Sequence, residues 1–270
     1  LITGGSGPND TETVPALLNN TLGTKFKIIS GYPSSTAITL AMERGEVEAL
    51  CSSYSSLRAR NADWFKNDKI NILVQASTRK HPDLPNVPLA LDLAPDKTTR
   101  DMMALNDARL EIGRPYLAPP GLPASRVAAL RNAFDKTVTD KTFVKAVRDQ
   151  KRTLAPVSGK DVQALIERVS KTDKALIAKL NDALVYRGVK GKAKVKLVQA
   201  VGPITDIKRG GRRISIKAKG GKTFKAKISG SRTKITVAGK KAKRKVFKKG
   251  MICTIKSPAN GEEATNVDCK

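Results

Sequence analysis

Two loops rich in glycine and hydroxyl residues are the parts of this sequence best suited to hold a small anion. They span residues 4–11 and residues 31–36, and each runs into the start of a predicted helix. Helix starts offer unpaired N–H groups and the positive end of the helix dipole, which stabilise negative charge. The same residues also suit ordinary helix caps and turns, and Asp10 disfavours a nearby anion unless it caps the helix. The predicted ligand contacts are Ser6, Gly7, Asn9, Thr11, Tyr32, Ser34, Ser35 and Thr36.

The C-terminal part of the chain suits a different partner, because it is strongly basic. Residues 185–270 hold 25 Lys and Arg against 4 Asp and Glu, whereas residues 1–184 hold 26 against 20, within a net charge of +27. This asymmetry predicts an anionic polymer or an anionic envelope surface as partner. The densest cluster, called the basic segment below, comprises Lys240, Lys241, Lys243, Arg244, Lys245, Lys248 and Lys249.

Three interpretations of the basic segment stay open: nonspecific polyanion binding, contact with the envelope or lipopolysaccharide, and a solvated hairpin face without a partner. Proteins that read single-stranded nucleic acid interleave aromatic side chains for base stacking. The basic region offers Phe224 and Phe247, and Phe224 falls on the predicted core face. Sequence-specific readout of nucleic acid is therefore not expected.

Residues that could support catalysis are scattered. His81 lies in a proline-rich loop, and Cys51 ends an apolar run, which is typical of an inert buried thiol. Residues 4–7 lack the Lys and Ser/Thr of a phosphate-binding P-loop and the spacing of a dinucleotide fingerprint. One histidine and three separated cysteines do not make a usual zinc site. We therefore expect no catalytic residue, no metal and no cofactor.

Cys253 and Cys269 both lie in the last 18 residues, each in a predicted strand. A disulfide between them is expected if the compartment is oxidising, and two buried thiols are the alternative.

The order of predicted elements in the first part of the chain indicates an α/β fold. Short strands are predicted at residues 26–29, 47–51 and 70–75, with helical patterns between them. Such alternation favours a mostly parallel sheet. Helices are predicted further along, at residues 97–112, 123–137, 141–150 and 159–183. No apolar run approaches the length of roughly 20 residues that spans a membrane as a helix.

After residue 185 the apolar period changes to two. Ile214 and Ile216, then Ala226 and Ile228, alternate with polar residues, and Gly-rich turns separate the runs. Short, evenly spaced strands of this kind predict a small closed antiparallel barrel of the OB or SH3 type. The predicted organisation is an α/β domain at 1–184, a linker at 185–193 and a lysine-rich barrel domain at 194–270.

Four segments in residues 1–184 resemble the tripartite tricarboxylate transporter receptors, also called Bug-type extracytoplasmic solute receptors. They are residues 4–11, residues 31–47, the proline-rich stretch 82–88, and the two motifs at 113–115 and 118–124. In that family the first two are the Gly/Ser loop opening the second lobe and the second ligand loop.

The resemblance implies a partial lobe of the periplasmic-binding-protein type II class. Members of the family carry a whole lobe before the first motif, so we expect a truncated receptor with weak affinity for a small carboxylate. It further implies a noncatalytic protein in the periplasm or another extracytoplasmic compartment, working in transport with membrane transporter subunits. The alternative is a nonspecific nucleic-acid-binding protein acting through residues 186–270.

Overall fold

The described part of the chain divides into two compact units that interleave along the sequence. The computed structural model describes residues 1–113, 115–150, 152, 154–193 and 195–270. Arg114, in one of the family-like motifs, and Lys194, the first residue of the predicted basic domain, lie outside the described residues. Unit 1 comprises Leu1–Gly7, Lys27–Leu50 and Val189–Lys270, and unit 2 comprises Pro8–Phe26 and Cys51–Gly188. The predicted domains at 1–184 and 194–270 are consecutive in sequence, and this division stays a prediction.

The strands, numbered in chain order, are β1 (Ile2–Gly4), β2 (Lys27–Ser30), β3 (Gly191–Lys192), β4 (Val198–Lys208), β5 (Arg213–Lys217), β6 (Thr223–Lys227), β7 (Lys234–Val237), β8 (Lys240–Lys241), β9 (Ile252–Ser257) and β10 (Asn266–Cys269). The α-helices are α1 (Asp10–Leu22), α2 (Ser35–Glu43), α3 (Tyr54–Arg60), α4 (Ala62–Lys66), α5 (Lys97–Glu111), α6 (Ala124–Thr139), α7 (Lys141–Asp149), α8 (Gly159–Ser170) and α9 (Lys174–Ala183). Helix α2 and all the strands belong to unit 1, and the other helices belong to unit 2.

Unit 1 contains a small parallel sheet in the order β1-β2-β3. Thr3 lies opposite Ile28, and Ile29 lies opposite Gly191, so the three strands run in one direction. The predicted mixed α/β class with a parallel sheet is confirmed. Part of the predicted linker 185–193 is β3 of this sheet.

Helix α2 packs on this sheet over a small apolar core. Ile38 is fully buried in this core, which also contains Tyr32, Ala37, Ala41 and Val47. A Cβ at Gly4 would lie 2.4 Å from the Ile38 side chain, so glycine lets α2 approach β1 this closely. The predicted strand 47–51 is reduced to one parallel bridge between Ala49 and Thr3. The chain turns away after this bridge, and Cys51 already belongs to unit 2.

The basic region of unit 1 folds into a seven-stranded sheet in the order β6-β5-β4-β9-β10-β7-β8. The predicted alternation is confirmed, since Ile214, Ile216, Ala226, Ile228 and Ile235 are all buried in one core. The predicted closed antiparallel barrel is wrong in two respects. Strands β10 and β7 run parallel, and in the described residues the order is open, ending at β6 and β8.

The free edge of β6 is covered by the loop that joins β9 to β10. Lys227 N–H donates to the Glu262 carbonyl at 3.0 Å, and Ala264 N–H donates to the Lys227 carbonyl at 2.9 Å. The loop therefore supplies hydrogen-bond partners to the edge of β6, which in a closed barrel would pair with another strand. Beyond this loop, β10 pairs antiparallel with β9 on one side and parallel with β7 on the other.

Unit 2 is helical. Its core joins Leu17 and Leu18 of α1, Met102 and Met103 of α5, and Leu180 of α9. In the described part of the chain, α6 and α7 contribute no buried residue. The single helix predicted over 159–183 is two helices, α8 and α9, capped separately by Ser158 and Asp173.

The proline-rich loop of unit 2 is organised by the buried side chain of Gln75. Its Nε2 donates to the carbonyls of Leu84 and Val87 at 3.0 and 2.9 Å, and its Oε1 accepts from His81 N–H at 2.8 Å. The strand predicted over 70–75 is wrong apart from one bridge between Gln75 and Leu89. The partner segment is interrupted by prolines, which lack the N–H that a strand pair needs.

Candidate functional site

The candidate site in unit 1 is the edge where the parallel strands β1 and β2 end. Parallel strands bring the loops that follow them to the same side of a sheet, which is where α/β folds bind ligands. The two loops are joined at their base. Gly5 N–H donates to the Ile29 carbonyl at 2.8 Å, and Tyr32 N–H donates to the Gly5 carbonyl at 3.1 Å. Ser6 and Gly7 follow on the first loop, and Ser34 ends the second.

The second loop leads directly into the N-terminus of α2. Ser34 is the N-cap, and its Oγ accepts from Ala37 N–H at 3.2 Å. Ser35 and Thr36 form the first turn, which contains no carboxylate among its described residues. This end of α2 therefore combines the positive end of the helix dipole with three hydroxyl-bearing residues.

Ser30, which the sequence analysis did not select, ends β2 at the same edge. Its Oγ is buried and has no hydrogen-bond partner among the described residues. Lys192 lies opposite Ser30 in register, at the end of β3, and its side chain is exposed. A buried hydroxyl without a partner is costly, and a ligand or a water at this edge would satisfy it. No short-range sequence motif marks Ser30, because its surroundings depend on β3.

Tyr32, a predicted ligand contact, is buried in the core of unit 1. It is 5% exposed and packs in the core with Ile38 and Val47. Burial and the nearby charge of Glu46 raise the pKa of its phenol. Tyr32 therefore holds the loop to α2 through its ring, and its contact with a ligand stays a prediction.

Asn9 and Thr11 belong to unit 2, where they form the start of α1. The Asn9 side chain accepts from Thr11 N–H at 3.0 Å and from Thr11 Oγ1 at 2.8 Å, which is an N-cap. The first turn carries Asp10 and Glu12, and Asp10 also accepts from Arg109 at 2.6 Å. Asn9 and not Asp10 caps the helix, and the first turn carries two carboxylates. The N-terminus of α2 is therefore a better site for an anionic ligand than the N-terminus of α1.

The basic segment of unit 1 is exposed along most of its length. The exposed side chains are Lys240, Lys241, Lys243, Lys245, Lys248 and Lys249. Arg244 differs, because it is half-buried and its guanidinium donates to the Ile228 carbonyl at 3.4 Å. It therefore stabilises the turn after β6, and its contact with a polyanion stays a prediction.

Cys253 and Cys269 lie opposite each other on β9 and β10 and form a disulfide, as the sequence predicted. Cys51 in unit 2 is a free thiol. Burial, with the charges of Asp10 and Asp107, raises the pKa of the Cys51 thiol to about 12. Cys51 is therefore protonated at neutral pH and is not an activated nucleophile.

His81 is engaged in its own loop. Its Nδ1 accepts from Asp83 N–H at 3.1 Å, and its ring lies 4.8 Å from that of Tyr54, centroid to centroid. In the described residues, no group of three or more His, Cys, Asp or Glu side chains is placed to hold a metal ion. Nor does any helix in the described part have the length and apolarity needed to cross a membrane.

Comparisons with known proteins give similar solved structures. One of them is the crystal structure, without ligand, of a TctC solute-binding protein from Polaromonas, with 20% identity and a TM-score of 0.46. The similarity covers 66% of this chain and 56% of that chain, so this chain spans little more than half the length of that protein. No family model matches the sequence, and no curated protein matches it.

Proposed function

We propose that this chain is a noncatalytic, exported binding protein that holds a small carboxylate at the edge of the parallel sheet in unit 1. The observation that carries the proposal is the arrangement of the two loops, which leave adjacent parallel strands and are hydrogen-bonded to each other at Gly5 and Tyr32. The edge offers backbone N–H groups and the N-terminus of α2, which together suit a carboxylate.

The individual contributions at this edge are modest. A helix N-terminus contributes about 0.3–1 kcal/mol to the binding of an exposed anion. Ser30 and Ser34 supply hydroxyls, and Lys192 supplies a cation at the same edge. We therefore expect millimolar affinity for a dicarboxylate or tricarboxylate. The resemblance to tripartite tricarboxylate transporter receptors supports the same class of ligand and supports transporter subunits in the membrane as partners.

The basic region of unit 1 is proposed to contact an anionic polymer or the anionic envelope surface. The excess of 25 basic over 4 acidic residues supports this role, and the Cys253–Cys269 disulfide supports an oxidising compartment outside the cytoplasm. The same excess of charge favours a second candidate, nonspecific nucleic-acid binding through residues 186–270.

Calorimetry with citrate, succinate and the uncharged triol glycerol tests the carboxylate site. We expect millimolar binding of citrate, and no heat with glycerol. Ser30→Ala should weaken citrate binding several-fold, because it removes the unpartnered hydroxyl at the edge. Ser158→Ala is the matched control, since Ser158 caps α8 in unit 2 and lies outside the proposed site.

Two results would contradict the carboxylate proposal. One is the absence of citrate binding at tens of millimolar. The other is an equal loss of binding in Ser30→Ala and Ser158→Ala, which would place the anion elsewhere.

A further inference from the structure

Three cations stand side by side on the outward face of β4, β5 and β6. Lys208 lies opposite Arg213, and Arg213 lies opposite Lys227. All three side chains are exposed and point away from the buried core of the sheet. Adjacent strands are about 4.8 Å apart, so this cation row places three positive charges across a span of about 10 Å.

The middle member of the row is the least neutralised. Lys208 pairs with Asp206 at 3.4 Å, and Lys227 pairs with Glu262 at 3.3 Å. No acidic side chain of the described residues forms an ion pair with Arg213. Like charges directly opposite each other destabilise a sheet. This arrangement therefore lowers the stability of the free protein, and a bound polyanion would reduce the repulsion.

The rest of this face offers more cations and hydroxyls. Lys217 and Lys225 are exposed on β5 and β6, with Ser215 and Thr223 among them in the same pleat. The nearby Phe224 is half-buried and packs against the core, so it is not a stacking platform on this face. A face of this composition recognises charge and hydroxyl groups and has no means of reading bases.

Strand geometry makes the row a better-ordered site than the basic segment. The three cations are held in register by backbone pairing on both sides of β5. The basic segment includes a two-residue strand and irregular turns, and its Arg244 is committed to the Ile228 carbonyl. Fixed cations lose less freedom when a partner binds.

We propose that the outward face of β4, β5 and β6 is the docking surface for a linear acidic polysaccharide. The cation row binds successive carboxylate or sulfate groups, and the hydroxyl side chains contact the sugar rings. This inference rests on the proposed polyanion-binding role of the basic region and on export. The disulfide favours an extracytoplasmic polymer over nucleic acid, and the lack of an exposed aromatic among the described residues of this face agrees with that choice.

The test uses the full chain with two probes of matched charge, a heparin oligosaccharide and a DNA duplex. Affinity is measured at several salt concentrations, and melting is measured without ligand. Arg213→Gln should raise the melting temperature of the free protein. It should also weaken heparin binding about fivefold or more, and lower the slope of log affinity against log salt by about one.

Three further variants make the result specific. Arg213→Lys keeps the charge and should keep most of the binding. Arg126→Gln removes one exposed charge from α6 in unit 2 and should change neither quantity. Lys245→Gln removes one charge from the basic segment and should weaken binding less than Arg213→Gln.

The outcomes separate the two proposals. If wild-type protein binds neither polymer, the polyanion role of the basic region fails, and this docking surface fails with it. If heparin binds and Lys245→Gln weakens it more than Arg213→Gln, only the docking surface is wrong. Tighter binding of duplex than of heparin would overturn the polysaccharide assignment in favour of nucleic acid.

Discussion

Asp107 is a carboxyl group that the fold holds inside unit 2, where it is 2% exposed. Asn106 Nδ2 donates a hydrogen bond to the Asp107 carboxylate at 2.9 Å. Burial raises the pKa of Asp107 from 3.8 to about 6, although the Asn106 bond and the charge of Arg109 act in the opposite direction. The ionised carboxylate is therefore a cost to the folded state at neutral pH.

The size and sign of this cost follow from linkage. A carboxyl pKa that is higher in the folded protein means that the folded state binds the proton more tightly. Well below pH 3.8 both states are protonated and the penalty vanishes, and at pH 4 it is still only a small fraction of its full size. The penalty grows between about pH 4 and pH 6 and is complete above that range. Raising the carboxyl pKa from 3.8 to about 6 corresponds to about 3 kcal/mol at neutral pH.

Asp107→Asn removes the charge and keeps the oxygen that accepts from Asn106. We expect the variant to be more stable than wild type by about 2–3 kcal/mol at pH 7.5, and nearly equal to it at pH 4. Urea denaturation followed by tryptophan fluorescence is the assay. Trp64 is the only tryptophan in the chain and is buried in unit 2, so its signal reports this unit.

Asp101→Asn is the matched control on the same helix. Asp101 is partly exposed and pairs with Lys97 at 2.6 Å, an i,i+4 pair. Such surface pairs contribute about 0.3–0.5 kcal/mol, so this variant should differ little from wild type at either pH. An Asp107→Asn effect that is the same at pH 4 and pH 7.5 would refute the reasoning, because it would arise from packing and not from charge.

Three further outcomes concern unit 1. Cys253→Ser/Cys269→Ser opens a link between residues 16 apart in sequence and should cost about 3 kcal/mol; a urea midpoint for unit 1 equal to that of wild type would contradict this. Gly202→Ala should lower the free energy of unfolding by about 1–3 kcal/mol or more, because the added Cβ would lie 2.0 Å from a backbone carbonyl of β5. Melting curves test this, and Val201→Ala, at an exposed position, is the control. Thr233→Val should lower the free energy of unfolding by about 1–3 kcal/mol, because the buried hydroxyl donates to the Ala264 carbonyl at 2.7 Å and accepts from Ser229 N–H at 2.9 Å. Amide hydrogen exchange at Ser229 should be faster in this variant than in wild type.

Local patterns in the sequence predicted the parts of the fold that local patterns determine. The two-residue period identified the buried faces of β5 and β6, including Ile214, Ile216 and Ala226. Helix starts at Ser34 and Asp173 follow from capping chemistry, but Ser34 was predicted as a ligand contact and Asp173 fell inside a single predicted helix. The disulfide between Cys253 and Cys269 was predicted from their closeness in sequence, and the structure places them on paired strands.

Long-range pairing could not be predicted in the same way. Alternation fixes which face of a strand is buried and says nothing about which strands are neighbours, so the parallel pair β10-β7 was missed. Strand β3 is a two-residue stretch without β-branched residues, and its assignment depends on Ile29 and Ser30 far away in sequence. The buried, unpartnered hydroxyl of Ser30 could not be predicted for the same reason.

The pairing of β2 with β3 also has a consequence for synthesis on the ribosome. Ile29 and Gly191 are about 160 residues apart, and all of unit 2 except its first segment is made between them. At a synthesis rate of about 5–20 residues per second, β3 is made roughly 8–30 s after β2. During that time an apolar strand edge stays open to other chains. The parallel sheet of unit 1 is therefore completed only after residue 192 has left the exit tunnel.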